Sequence, residues 1–321
     1  FCFDLGRRQH GAFKFIGEKM LALITGGAGF VGKHLSDYLS TCGDEVVTTD
    51  IAEGGPDLLD DVALNNLFLS VKPEVVYHLA GQADVGASWS DAPRTFRINA
   101  EGTLNVLIAC RLAGIKRVLT VSSAEVYGKV NDKELPINES LSLAPASPYA
   151  VSKAAVEMIS AYEASRELDV MCSRSFNHFG PGQSTNFVAA ALALRILEAK
   201  KAGEKSIPVG RLDTKRDFTD VRDVVRAYRS IICKGISGEA YNVCSGVDRS
   251  IEELAEALLE ASESTIELIP EISLQRPSDI PVLRGDHSKI KSHTGWTPNV
   301  EFTETIKDII SSTQAFIDKN S

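Results

Sequence analysis

With 34 basic against 43 acidic side chains in 321 residues, the chain carries a formal net charge of −9 and a pI near 5.3. That balance argues against a general nucleic-acid-binding or anionic-membrane surface, while leaving room for a local basic pocket. Hydrophobic residues at 44% and charged residues at 24% are ordinary for a globular protein with a large core, in one large domain or two unequal lobes.

No apolar run approaches the ~18–20 residues of a membrane span, so no membrane partner is expected. The six cysteines (Cys2, Cys42, Cys110, Cys172, Cys233 and Cys244) form no C-x-x-C pair, and several lie within apolar patterns. Reduced thiols in a cytoplasmic protein fit that usage. Residues 1–19 are aromatic and basic without the apolar centre of a signal peptide. Met20 reads as a natural start, and 1–19 as a non-native or disordered extension outside the fold.

Residues 21–25 form a short apolar run that reads as a buried strand. The glycine-rich stretch Gly26-Gly27-Ala28-Gly29-Phe30-Val31-Gly32 then reads as a tight turn into a helix. That helix begins near Phe30 and turns Val31, Leu35, Tyr38 and Leu39 inward. Glycines here permit the turn, let backbone approach a pyrophosphate, and let the helix pack closely on the strand. The helix N-terminus adds amide donors and a positive dipole end. Residues 45–50 read as the second strand, ending in Asp50, 21 residues beyond Gly29. An acidic side chain there accepts both ribose hydroxyls of an adenosine and repels a 2′-phosphate. The cofactor is therefore expected to be NAD, with NADH favoured by Asp50 and NADP not excluded.

Further on, residues 57–60 read as a short extended piece before a helix ending near Val71, and residues 73–81 as a strand with a glycine turn. A long helix is expected over 93–113, a strand over 117–123, and a polar, proline-containing surface loop over 129–146. Ser147 and Pro148 open a helix that runs to about Leu168, as N-cap and first-turn residues do. A strand follows over 169–174. Alternation of strands and helices to this point predicts an α/β fold, a doubly wound parallel Rossmann sheet. Beyond Phe176 the alternation breaks. Strands are expected at 206–209, 240–243 and 266–269, and helices at 187–200, 221–232, 251–261 and 302–317. The division expected is a cofactor domain over 20–175 and a smaller, interleaved C-terminal substrate lobe over 176–321.

Tyr149 and Lys153 stand four residues apart, on one helix face. A lysine there, with a cationic nicotinamide nearby, is expected to draw the phenol pKa down from ~10 toward working pH. Such a tyrosine exchanges a proton with an alcohol oxygen while hydride moves at the same carbon. Ser123, at the carboxyl end of a strand, is the third candidate, where ligands of open α/β sheets bind. The histidines offer no metal-ligand spacing. His34, His78 and His178 read as packing or surface residues, and His10, His287 and His293 lie far apart, so no metal is expected.

Five ordered motifs resemble those of the extended short-chain dehydrogenase/reductases that modify nucleotide sugars. They are Thr25 to Gly32, His78-Leu79-Ala80-Gly81, Asn99-Ala100-Glu101-Gly102-Thr103-Leu104-Asn105, Ser122-Ser123-Ala124-Glu125-Val126-Tyr127-Gly128, and Tyr149-x-x-x-Lys153. The resemblance covers essentially all of the chain after Met20. It implies cofactor contacts from Gly26, Gly29, Phe30, Val31, Gly32, Asp50, Leu79, Ala80 and Gly81, with Asp57 and Leu58 by the adenine. It also implies a Ser123–Tyr149–Lys153 triad supported by Asn99.

Phe176-Asn177-His178-Phe179-Gly180-Pro181-Gly182, Arg216-Asp217-Phe218-Thr219-Asp220, Tyr241-Asn242-Val243 and Arg276-Pro277-Ser278-Asp279 are most similar to the GDP-6-deoxy-4-keto-mannose reductases, and less to the GDP-mannose 4,6-dehydratases. On that resemblance Asn177, Phe187 and Val188 contact the nucleotide sugar, and Arg216 and Arg276 hold its diphosphate. Forked guanidinium donors suit phosphate. A homodimer through the helices at 93–113 and 148–168 is implied too.

Glu125 keeps a redox-neutral dehydratase or 4-epimerase as the alternative, because in dehydratases a Glu at this strand end removes the C5 proton. Ala124, in the middle position, has no proton to donate. A cofactor-sensing protein without turnover usually lacks the tyrosine or the lysine, and this chain has both.

Overall fold

Both faces of the central sheet are covered by helices, and its inner strands are accordingly buried along nearly their whole length rather than at alternate residues. The computed structural model describes residues 19–166, 168–274 and 280–320. The expected extension before Lys19 and the candidate Arg276 therefore lie outside the described residues.

The first half contains β1 (Leu21–Thr25), α1 (Phe30–Thr41), β2 (Glu45–Thr49), α2 (Asp61–Val71), β3 (Val75–His78), α3 (Val85–Ser90), α4 (Ala92–Phe96), α5 (Gly102–Leu112), β4 (Arg117–Ser123), α6 (Pro148–Ala164) and β5 (Asp169–Ser175). The second half contains β6 (Asn177–Phe179), α7 (Val188–Ala202), β7 (Ser206–Val209), β8 (Lys215–Asp220), α8 (Val221–Lys234), β9 (Ala240–Val243), β10 (Asp248–Ser250), α9 (Ile251–Ala261), β11 (Glu267–Pro270), β12 (Val282–Leu283), α10 (Ser288–Thr294) and α11 (Phe302–Lys319).

The main sheet has the order β2-β1-β3-β4-β5-β9, and every neighbouring pair is parallel. From β1 the chain steps outward to β2, then returns to the far side of β1 for β3. This reversal opens a crevice beyond the carboxyl ends of β1 and β3, where ligands of doubly wound sheets bind. One face is closed by α1, α8 and α10 over Leu35, Leu39, Tyr77, Tyr228 and Trp296. The other is closed by α2, α5 and α6 over Leu64, Phe68, Val106, Leu107 and Val118.

A second core, with Phe179, Leu192, Ile196, Leu254 and Ile309, lies among α7, α9 and α11. Beside it, β8 pairs with β6, β10 and β12, and β7 pairs with β11. β9, α8 and α10 arise from within residues 176–321 yet return to the main sheet, with Tyr241 and Val243 fully buried there. Among the described residues, no helix is long and apolar enough to cross a membrane.

Three local expectations are corrected. Residues 57–60 are a turn rather than extended, closed by the Asp60 amide on the Asp57 carbonyl at 3.0 Å, and Asp60 then caps α2. The helix expected over 93–113 is α4 and α5 joined by a π turn, Arg97–Glu101. The loop at 129–146 is not wholly superficial: Ile137 is fully buried, its amide bonded to the Arg284 carbonyl at 2.8 Å.

α6 is fastened to the sheet by a buried ion pair. Arg174 of β5 donates from Nε and Nη2 to Glu157 of α6 at 3.0 and 2.7 Å, and both side chains are only about a tenth exposed (10% and 9%). Ser122 Oγ also donates to Glu157, at 2.7 Å. Removing one partner strands the other charge, which costs ~3–5 kcal/mol. Glu157→Ala is therefore expected to lower the melting temperature by several degrees in a thermal unfolding scan; an unchanged midpoint would contradict the pair's structural role.

Candidate active site

The crevice is entered through the glycine turn. Gly26 adopts φ +78°, and a Cβ on it would stand 2.7 Å from the Ala80 nitrogen. A Cβ on Gly32 would collide with the Gly26 carbonyl, so only glycine lets α1 start this close to β1. Gly29 is the N-cap of α1 and leaves its first turn without a side-chain cap. Bare amides at a helix N-terminus are what a phosphate needs. Asp50 follows directly on β2 and accepts from the Ala28 amide at 3.2 Å and the Ala52 amide at 2.9 Å. Phe30 lies against Gly180 and His178, and Val31 is half-buried against the core. A cavity of about 360 Å³ lies between the start of α1 (Ala28, Phe30, Lys33) and Pro181–Ser184.

The structure brings Gly26 against Leu79 and Ala80 beyond β3, while Gly81 lies by Asn99 and Lys153. Asp57 is exposed and accepts from the Leu59 amide at 2.9 Å. Leu58 packs against Gly102 at the start of α5.

Ser123, Tyr149 and Lys153 converge at the end of β4, each less than a tenth exposed. Ser147 caps α6 by accepting from the Ala150 amide at 3.1 Å, which fixes the helix start just before Tyr149. Ser123 lies close enough to the Tyr149 phenol to act on it, and Ser123 Oγ accepts from the Glu125 amide at 3.2 Å. Lys153 Nζ donates to the Val121 carbonyl at 2.8 Å and stands 5.9 Å from the Tyr149 ring centroid.

The expected lowering of the Tyr149 pKa rests on a cationic nicotinamide as well as on Lys153, and on balance the protein's own groups act in the other direction. Burial pushes the phenol up, Ser123 opposes this, and the charge of half-buried Glu125 adds to the rise. Lys153 itself is pushed down to about 8 by burial.

Asn99 is 1% exposed and sits within the π turn. Its Oδ1 accepts from the Gln82 amide at 2.8 Å, and its Nδ2 donates to the Gln82 carbonyl at 3.0 Å and to Ser152 Oγ at 2.9 Å. It thereby ties the segment after β3 to α6. Gln82 and Ser152 were not singled out from the sequence; for Ser152 the available signal was its place between Tyr149 and Lys153. Ser88 was missed as well. Its Oγ accepts from the Tyr149 amide at 3.2 Å, a second cap on α6 from α3.

On the lobe side, Asn177 is exposed on β6, Phe187 is the N-cap of α7 and is 38% exposed, and Val188 opens that helix. Arg216 lies on β8, and its Nη1 donates to the carbonyls of Lys215 and Ile280 at 2.9 and 2.7 Å. Next to it, Asp217 is fully buried and accepts from the amides of Ser245, Gly246 and Gly285 at 2.7, 2.9 and 3.2 Å. That carboxylate locks the strand carrying Arg216 to two neighbouring loops. Burial pushes its pKa up against these donors.

A glycine turn and a buried Ser–Tyr–Lys cluster at the carboxyl ends of a doubly wound sheet, with an added lobe, define a short-chain dehydrogenase/reductase of the extended type. Comparison with known proteins narrows the class. The family model described as GDP-mannose 4,6 dehydratase matches residues 55–309. The chain is 38% identical to the GDP-6-deoxy-D-mannose reductase of Pseudomonas aeruginosa, over 90% of this chain and 95% of that protein. A solved structure of RMD from Pseudomonas aeruginosa complexed with NADPH superimposes with a TM-score of 0.85 at 36% identity, covering 93% of this chain and 100% of that one. The UDP-glucose 4-epimerase of Thermus thermophilus, in complex with NAD, gives 0.82 at 31% identity, covering 92% and 99%. The chain belongs to this family of extended short-chain dehydrogenase/reductases, the one named for GDP-mannose 4,6 dehydratase.

The depressed Lys153 pKa has a measurable consequence. Between about pH 8 and the ordinary lysine value of 10.5, the folded chain holds fewer protons on this residue than the unfolded chain. Stability contributed by this group therefore rises with pH through that window and is constant below it. Relative to Lys153→Met, the wild type is expected to gain melting temperature from pH 8 to pH 10; parallel melting curves across that range would contradict it.

Proposed function

We propose that the protein reduces the C4 ketone of a nucleotide-linked 4-keto-6-deoxyhexose, of the GDP-4-keto-6-deoxymannose to GDP-rhamnose type. The observation that carries this reading is the buried cluster of Ser123, Tyr149 and Lys153 at the end of β4, with Ala124 rather than an acid between Ser123 and Glu125. The 38% identity to a protein named a GDP-6-deoxy-D-mannose reductase supports it.

In this reading Gly26, Gly29, Phe30, Val31 and Gly32 hold the pyrophosphate of a nicotinamide cofactor, Asp50 holds the adenosine ribose, and Leu79, Ala80, Gly81 and Asn99 border the reacting end. The adenine contacts of Asp57 and Leu58 rest on the family resemblance alone. When bound, the reduced nicotinamide supplies the hydride to C4. Tyr149 gives its proton to O4, so ketone, hydride and proton become the alcohol. Burial keeps the phenol protonated at neutral pH, which is the form a proton donor needs. Ser123 polarises the carbonyl through its hydroxyl, and the Lys153 ammonium stabilises the phenolate left behind. Solvent then returns the proton to Tyr149. In the same reading, and on the family resemblance, Asn177, Phe187 and Val188 contact the nucleotide sugar and Arg216 and Arg276 hold its diphosphate.

The finer choice of cofactor is NADH. Asp50 already presents a carboxylate to the glycine turn, and a 2′-phosphate beside it is repelled. Relatives bind either NADPH or NAD. A redox-neutral dehydratase or epimerase is the second reading, favoured by Glu125 lying close enough to raise the Tyr149 pKa.

With GDP-4-keto-6-deoxymannose, net oxidation of the cofactor is expected, with a higher kcat/KM for NADH than for NADPH. Tyr149→Phe is expected to lower kcat by roughly 10²-fold or more while leaving dinucleotide binding intact. Turnover of GDP-mannose or a UDP-hexose with no net cofactor oxidation would overturn the reductase reading in favour of the second.

A homodimer completes the proposal. Val151, Met158 and Tyr162 share one face of α6 and are 45%, 69% and 55% exposed. Beside them, Trp89, Phe96, Pro148 and Val151 line an apolar groove of about 410 Å³. Monomers rarely expose so continuous an apolar strip. Light scattering is expected to give twice the monomer mass for the wild type and the monomer mass for Met158→Glu; a monomeric wild type would remove the dimer.

A further inference from the structure

His78 reads from the sequence as a packing residue, yet both of its ring nitrogens are engaged. The side chain is 3% exposed, with Nδ1 2.7 Å from Thr25 Oγ1 and Nε2 3.0 Å from Thr103 Oγ1. Proton counting fixes the direction. The single Thr103 hydroxyl proton is given to the Asn99 carbonyl at 2.5 Å, so Thr103 must accept from His78 Nε2–H. Nδ1 is then an acceptor, and Thr25 must donate to it. Thr25 Oγ1 in turn accepts from the Ala80 amide at 3.4 Å. The result is one directed, buried relay: Ala80 N–H to Thr25, Thr25 to His78, His78 to Thr103, Thr103 to the Asn99 carbonyl.

The two ends have different outputs. Thr25 immediately precedes Gly26, and Ala80 lies against it, so the Nδ1 arm holds the two loops assigned to the dinucleotide. The Nε2 arm ends in the π turn, where the helix ladder is displaced and the Gly102 amide reaches the carbonyls of Arg97 and Asn99. From there the Asn99 side chain reaches Ser152, and Ser152 Oγ donates to the Tyr149 carbonyl at 2.7 Å. Burial and the Lys153 charge push His78 down to about 3, so the ring stays neutral and the relay keeps its direction over the working pH range.

We infer that His78 is a positioning residue with two separable tasks: its Nδ1 fixes the cofactor loops, and its Nε2–H fixes Asn99 and, through Ser152, the helix that carries Tyr149. The second task rests on the reductase reading above; the first does not.

Two substitutions divide the ring. Asparagine puts a carbonyl oxygen near the Nδ1 position, and glutamine puts an amide donor near the Nε2 position. His78→Asn keeps the acceptor for Thr25 and deprives Thr103 of its donor. It is expected to lower kcat about tenfold while leaving the NADH dissociation constant within about twofold of wild type. His78→Gln is expected to do the reverse, weakening NADH binding about tenfold with kcat at saturating NADH within about threefold. Thr103→Val, which keeps the ring, is expected to match His78→Asn and decides the matter if neither histidine variant folds.

NADH binding is read by fluorescence titration without substrate, and kcat with GDP-4-keto-6-deoxymannose. Loss of kcat and binding together in both histidine variants, no change in either, or a Thr103→Val indistinguishable from wild type would each overturn the inference. A wild type that binds NADH but does not reduce the ketosugar sinks the proposed function instead. In that case tenfold weaker NADH binding in His78→Gln but not in His78→Asn still supports the Nδ1 task.

Discussion

Burying the Lys153 ammonium is the constraint around which the site is built. A charge at that depth is costly unless it has fixed partners, and the penalty reaches several kcal/mol after relaxation. Here the Val121 carbonyl takes one of its protons at 2.8 Å. A side chain at position 81 would crowd the same space, since a Cβ on Gly81 would stand 2.8 Å from Asn99 Oδ1 and 3.8 Å from Lys153 Nζ. The same charge also forbids a second one nearby: His78 is held neutral partly by Lys153. Lysine depth, a bare glycine, a neutral histidine and the asparagine in the π turn are therefore one arrangement seen from four residues.

The main sheet was legible because its signals are local. Apolar runs bounded by glycines gave β1, β3 and β4, and the Ser147-Pro148 start of α6 reads directly as a cap. The lobe was less legible. β6, β10 and β12 have two or three residues each, too short for a period to register, and β8 is the polar sequence Lys-Arg-Asp-Phe-Thr-Asp. β9 looked like any short strand, and only its pairing with β5 puts it in the main sheet.

Within the site, residue types were readable and depth was not. The Tyr149–Lys153 spacing put a cation beside a phenol, but it gave no sign that both side chains are less than a tenth exposed. Asn99 was visible as part of a motif, but its grip on Gln82 and Ser152 joins positions 17 and 53 residues away, which no periodicity reveals. Arg216 was chosen for its forked donors, and two backbone carbonyls already hold one end of that fork.

Relatives named as reductases, epimerases and dehydratases share this scaffold, so fold alone does not choose among their reactions. The choice rests on a few side chains at the end of β4. Ala124 offers no acid for elimination, which points to net reduction. The destination of the hydride tests that claim most directly. With cofactor deuterated at the transferable C4 position of the nicotinamide and GDP-4-keto-6-deoxymannose as substrate, NMR of the product is expected to show deuterium at C4 of the sugar, one equivalent for each cofactor oxidised. A product formed with no deuterium at sugar C4 and no net oxidation of the cofactor would contradict it.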